Sequence, residues 1–176
     1  EDINLFPVLT KKEAREAGQQ LVSSKYPRWL VRTAYTGGTT GTPLSIQSDI
    51  ISIGREQAFV RRQFDWAGIG LNDRTAYLTG RLVINPNKLK GRCYVYDPFM
   101  KELILSTYHL SADTVKDYVD ATKKYEVKAL VAYASAAYIL AKICIEQNIK
   151  LQFRAVLTSS ETMTESMRKT ITEAFG

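Results

Sequence analysis

Histidine occurs once in this chain and cysteine twice, which removes several chemistries at the outset. Cys93 and Cys144 stand far apart with no Cys-x-x-Cys or Cys/His spacing around them. Neither a disulfide framework nor a zinc site is expected, and no metal ligands are assigned. Thiols outside disulfides fit a reducing compartment, so a cytoplasmic location is expected. The longest uncharged apolar stretch, 129 to 141, ends at Lys142. That falls well short of the roughly 20 residues a membrane span needs, and no span is predicted. The opening Glu1-Asp2-Ile3-Asn4 is acidic and does not read as a secretory signal. Internal repeats and low-complexity linkers are also missing, so no domain boundary is drawn within residues 1–176.

What is present is a chain of 176 residues, 45% hydrophobic, enough to bury one sizeable core. Its formal charge of +6 favours anionic partners without choosing among them. The basic residues lie beside acids in most segments, and no basic-aromatic recognition motif occurs, so a nucleic-acid partner is not expected.

Thr10 followed by Glu13 has capping-box spacing and predicts a helix from Lys11 to Val22. Arg28 to Tyr35 and Pro43 to Gln47 read as strands on either side of a glycine-threonine loop. From Asp49, the recurrence of Ile53, Val60, Phe64 and Ala67 predicts a helix stopped by Gly68 and Gly70. Strands are expected at Arg74 to Leu78, Arg92 to Tyr96 and Leu103 to Tyr108. A helix capped at Ser111 follows, with Val115, Tyr118, Val119 and Thr122 on one face. After it come strand Val127 to Tyr133, a helix that is apolar nearly all round, strand Arg154 to Thr158 and helix Thr164 to Phe175. Helix and strand alternating in this half, with Val-, Leu- and Ala-rich strands, predict an α/β fold with a mainly parallel sheet and flanking helices.

The stretch Thr36-Gly37-Gly38-Thr39-Thr40-Gly41-Thr42-Pro43-Leu44 carries the most chemistry. Glycines let a backbone approach a polyphosphate with its N–H groups free, and threonine hydroxyls add donors. No Lys-Ser or Lys-Thr pair follows, so it is not a Walker A loop. Two readings stay open from the loop alone, an anion cradle and a plain hairpin turn. Elsewhere, Tyr133-Ala134-Ser135 and Ser159-Ser160-Glu161 each follow a predicted strand, where open α/β sheets place ligands. The first also reads as a plain strand-to-helix turn with a serine cap, and Glu161 as an acid ahead of a helix N-terminus, favoured by its dipole. His109 lacks a matched Ser, Cys or carboxylate partner in the sequence and is expected to be structural, with no catalytic residue assigned. Arg81 reads as a surface arginine or as a contact to an anionic substrate.

Thr36 to Pro43 resembles the phosphate-loop signature Thr-Ser-Gly-Thr-Thr-Gly-Lys-Pro of the adenylate-forming (AMP-binding) enzymes, departing from it at Gly37 and Thr42. Thr42-Pro43-Leu44 is similar to the branch that holds phenylacetate-coenzyme A ligases and capsular-polysaccharide proteins. So are Pro7-Val8-Leu9-Thr10-Lys11, Phe64-Asp65-Trp66-Ala67-Gly68, Ser106-Thr107-Tyr108-His109-Leu110-Ser111, Tyr133-Ala134-Ser135-Ala136 and Leu157-Thr158-Ser159-Ser160-Glu161. The resemblance implies part of the large amino-terminal domain of an enzyme that activates a carboxylate with ATP and Mg²⁺ and passes the acyl group to coenzyme A or another acceptor. It implies that Thr36, Gly37, Gly38, Thr39, Thr40 and Gly41 hold the phosphates of ATP. Ser159, Ser160 and Glu161 would border adenine, and Tyr133, Ala134 and Ser135 the acyl group. A following Tyr-Gly-x-Thr/Ser-Glu segment and a small mobile carboxyl-terminal domain with a lysine are not in residues 1–176, so the chain by itself is expected to be inactive. A P-loop-like phosphotransferase and a non-enzymatic nucleic-acid-binding module are the alternatives.

Overall fold

The computed structural model describes residues 5–35, 43–81, 83 and 93–176. Contacts divide it into two units, 1–62 and 63–176. In the first, helix α1 (Lys11–Ala17) opens on a complete capping box. The Thr10 N–H donates to Glu13 Oε2 at 2.7 Å, and the Glu13 N–H donates to Thr10 Oγ1 at 3.3 Å. The helix is shorter than the sequence predicts. Gly18 adopts a φ of 47°, which breaks the α-helical run, and a 3₁₀ turn over Gly18–Leu21 takes its place. Arg28–Leu30 also forms a 3₁₀ turn where a strand was expected, because Pro27 sets up the turn and the Leu30 N–H returns to the Pro27 carbonyl.

Strands β1 (Val31–Tyr35) and β2 (Ser45–Asp49) pair antiparallel, with Val31 opposite Asp49 and Tyr35 opposite Ser45. Residues 36–42 of the glycine-threonine loop lie outside the described residues. Asp49 ends β2 and starts α2 (Ile50–Trp66). Its Oδ1 accepts from the N–H groups of Ile51 and Ser52 at 3.0 and 2.9 Å, satisfying two donors the first helical turn cannot pair internally.

The second unit is built on a five-stranded sheet in the order β4-β5-β3-β6-β7. Its strands are β3 (Thr75–Leu78), β4 (Tyr94–Asp97), β5 (Glu102–Leu105), β6 (Ala129–Tyr133) and β7 (Ala155–Ser159). β3 pairs parallel with β5 and β6, β6 pairs parallel with β7, and only β4 runs antiparallel, along β5. The mainly parallel α/β sheet is therefore as the sequence predicts. Helices α3 (Val115–Lys124), α4 (Ala134–Glu146) and α5 (Glu165–Phe175) complete the unit.

Alternation along the strands assigns residues to the two faces. Ala76, Leu78, Leu103, Leu105, Leu130 and Ala132 point into the main core with Val115 and Tyr118 of α3, Leu140 and Cys144 of α4, and Ile171 and Phe175 of α5. Each fully buried leucine here, such as Leu78 or Leu130, contributes about 1.5–3 kcal/mol. On the opposite face Ala129 meets Phe64 and Ile69, with Val131, Ala155 and Leu157 beside them. Strands buried on both faces need apolar residues at nearly every position, which explains their uniform composition.

Two local expectations shift. β5 stops at Leu105, and Thr107–His109 forms a 3₁₀ turn. α3 starts at Val115, one turn later than a cap at Ser111 implies, because the Ser111 carbonyl accepts from Thr114 and Val115 in a preceding turn.

Candidate functional site at the carboxyl ends of the parallel strands

β3, β6 and β7 finish at one edge of the sheet. Leu78 is in register with Ala132, and Tyr133 with Ser159. This brings together the two segments that the sequence singles out separately, Tyr133–Ser135 and Ser159–Glu161. Ala134 is fully buried and opens α4, whereas Tyr133 and Ser135 are half-buried and Ser159, Ser160 and Glu161 are exposed. Ser160 adopts a φ of 67°, a left-handed conformation uncommon for a residue with a side chain. It turns the chain sharply off the end of β7.

That turn delivers Glu161 to the start of α4. The Ser135 N–H donates to Glu161 Oε2 at 2.7 Å, and Ser135 Oγ donates to Oε1 at 3.0 Å. The carboxylate thus satisfies one of the unpaired donors of α4 and sits where the helix dipole favours negative charge. These bonds, the backbone one foremost and the hydroxyl second, hold the Glu161 pKa below its ordinary 4.5. The sequence reading of Glu161 therefore needs correction in its target. The dipole it meets is that of α4, while α5 is capped by Thr164, whose hydroxyl accepts from the Met167 N–H at 3.2 Å. Ser135 is likewise not a cap residue, since Tyr133 occupies that place without a side-chain bond.

Gly80 is a further member of this edge that sequence reasoning did not select. It follows β3 with a φ of 73°, and a Cβ built on it would lie 3.2 Å from Tyr133 Cε2. A glycine just past a predicted strand end was the available signal.

Arg81 forms an ion pair with Glu102 at 2.8 Å and lies 4.8 Å from the Tyr77 ring centroid. Its side chain is half-exposed and engaged within the protein. His109 is buried at the end of the turn after β5, with Nδ1 2.7 Å from Ser106 Oγ. Ser106 in turn accepts the Tyr118 hydroxyl at its carbonyl, 2.6 Å away, and Thr114 Oγ1 donates to the His109 carbonyl. His109 Nε2 has no hydrogen-bond partner among the described residues. The expectation that His109 has no serine partner is thus corrected, since Ser106 pairs with it three residues away, and these buried contacts tie His109 into the β5–α3 connection.

A hollow of about 710 Å³, lined by Val127, Lys128, Leu151 and Phe175 among others, opens at the amino ends of β6 and β7. Open α/β sheets bind ligands at the other end of their strands, so this hollow is not taken as the site. Among the described residues no group of three or more His, Cys, Asp or Glu is placed to hold a metal ion. Both oxygens of Glu161 accept from Ser135. No helix among them is long and apolar enough to cross a membrane.

No family model matches the chain. The chain is similar to Protein CapK of Staphylococcus aureus. The two are 24% identical over 176 residues, a stretch that takes in 99% of this chain and 39% of the relative. The chain thus spans about 39% of the length of the curated relative it matches, and almost all of its own length takes part in the likeness.

Proposed function

We propose that this chain is part of an adenylate-forming enzyme that activates a carboxylate with ATP and acts in capsule or surface-polysaccharide biosynthesis. The observation that carries the reading is the meeting of Gly80, Tyr133–Ser135 and Ser159–Glu161 at the carboxyl ends of three parallel strands. That is the edge at which such sheets hold nucleotides, and two of its segments are those the family resemblance gives to the acyl group and to adenine. The likeness to Protein CapK supports the capsule assignment.

In the proposed reaction a carboxylate oxygen attacks the α-phosphorus of ATP. The bond to the bridging oxygen breaks and pyrophosphate leaves, giving an acyl-adenylate. A thiol, as in coenzyme A, or an amine then attacks the acyl carbon, and AMP departs with the oxygen that came from the carboxylate. The chain's contribution is to bind and orient. The loop at Thr36 to Gly41 donates to the departing phosphates, Ser159 and Ser160 border the base, and Tyr133 walls the acyl group. Aligning two bound reactants and stabilising phosphate charge are large effects on such barriers. Mg²⁺ would shield the phosphate charge.

The test is carboxylate-dependent exchange of pyrophosphate into ATP by the full-length protein with a panel of aryl and aliphatic acids. Exchange with at least one acid is expected. Replacing Thr39 and Thr40 together by Val should lower it by about tenfold or more, since each bond to a charged group is worth about 1.5–3 kcal/mol. Absence of exchange with every acid, or carboxylate-independent formation of ADP, would refute the proposal.

A further inference from the structure

Glu161 and Ser135 lie 26 residues apart in sequence and are joined by two hydrogen bonds, Glu161 from the loop after β7 and Ser135 from the first turn of α4. Their backbones are not otherwise tied at this level, because the β6–β7 ladder ends at the Tyr133–Ser159 pair. Beyond that pair the chain diverges. One branch enters α4 at Ala134, and the other turns through the left-handed Ser160 toward α5.

We propose that Glu161 is a positioning residue: its two bonds to Ser135 fix the loop after β7 against the start of α4 and so set the spacing between bound nucleotide and acyl group. The inference rests on the proposed function for the identity of those two ligands, whereas the latch itself rests on the geometry alone. Three observations support it. Both carboxylate oxygens are used, so the Glu161 head group is held in orientation as well as in distance. The backbone bond goes to a helix N-terminus, so the anchor is a rigid element and not another loop. Ser160 holds a left-handed φ of 67° immediately before Glu161, a conformation that costs energy and persists only where neighbouring contacts fix it.

The chemistry has a sharp demand on spacing. The carboxylate oxygen must meet the α-phosphorus in line, and a displacement of about 1 Å costs on the order of a hundredfold in rate. A tie between the loop after β7 and the start of α4 therefore acts on turnover without Glu161 touching either reactant. Gln is close to isosteric with Glu. Its carbonyl oxygen can accept from the Ser135 N–H, but its amide must act as donor or lie idle at the hydroxyl. Ala can do neither.

The experiment compares Glu161→Ala, Glu161→Gln and Ser135→Ala in the full-length protein by kinetics and by hydrogen exchange. Glu161→Ala is expected to lower kcat/KM for both ATP and the carboxylate by about tenfold to a hundredfold, in line with a misplacement on the ångström scale. Glu161→Gln should restore most of the loss, and Ser135→Ala, which keeps the N–H, should fall between. Exchange of the Ser135 amide should be slow in the wild type and in Glu161→Gln and fast in Glu161→Ala. A loss confined to KM for ATP would overturn the proposal in favour of a direct base contact. Gln behaving as badly as Ala would overturn it in favour of a need for charge. If the wild type activates no carboxylate, the proposed function fails and the amide exchange alone decides the latch: equal Ser135 exchange in the wild type and Glu161→Ala refutes it.

Discussion

Gly80 lies against the ring of Tyr133, so close that a single added carbon would stand 3.2 Å from Cε2. The contact joins the end of β3 to the end of β6 and gives the edge of the sheet a fixed wall. Gly80→Ala meets two penalties, the crowded ring and a φ of 73°. A side chain in that conformation costs roughly 1–2 kcal/mol, and relief by moving Tyr133 would disturb the proposed acyl wall. The variant is expected to unfold at lower denaturant with the m-value unchanged. Wild-type stability together with wild-type substrate preference would contradict the role given to Gly80.

His109 is expected to support the fold and not to take part in chemistry. Its Nδ1 and the Ser106 hydroxyl pair within the interior at 2.7 Å. His109→Ala leaves that hydroxyl unpaired, at a cost of about 1–3 kcal/mol. His109→Gln should recover part of this, and its turnover in the full-length protein should match the wild type at temperatures where both are folded. Lost turnover in a fully stable His109→Gln protein would show a catalytic role instead.

Alkaline pH should destabilise the second unit through two buried groups. Burial pushes the Cys144 thiol up from 9.0 to about 11, and burial foremost raises Tyr118 as well, with the charge of Cys93 second. A raised folded pKa means that stability is at its full value below the unfolded pKa and is lost as pH rises through the folded one. Denaturation midpoints should therefore be level up to about pH 9 and fall as pH passes through 11. The same burial predicts that Cys144 resists thiol reagents at neutral pH until the protein unfolds. Rapid labelling of native protein at Cys144, or stability that rises with alkaline pH, would contradict this.

The sheet was legible because its causes are local. Strands such as Ala129–Tyr133 are apolar on both faces, and the helices between them show their own period, so parallel pairing follows from composition and order. The Thr10–Glu13 box was legible for the same reason, being a contact across three residues. Boundaries set by backbone geometry were harder. Gly18 cuts α1 short, and Pro27 turns Arg28–Leu30 into a 3₁₀ segment despite strand-forming residues. In the candidate site, the two strand-end segments could be placed from sequence, since each follows a strand. What each side chain does there could not. Glu161 finds the helix across the strand pair instead of the one that follows it, and Gly80 meets a ring 53 positions further on, contacts that only the assembled sheet creates. Residues 36–42 of the glycine-threonine loop lie outside the described residues.

Carboxylate activation at the α-phosphorus has one signature that competing nucleotide chemistries lack, the transfer of a carboxylate oxygen atom into AMP. A carboxylate labelled with heavy oxygen is incubated with ATP, the acyl acceptor and the full-length protein, and the nucleotide product is weighed by mass spectrometry. Attack of the carboxylate on the α-phosphorus, followed by acyl transfer, predicts AMP carrying one heavy oxygen, with unlabelled pyrophosphate in equal amount. Nucleotide product free of label, or ADP in place of AMP, would contradict the account.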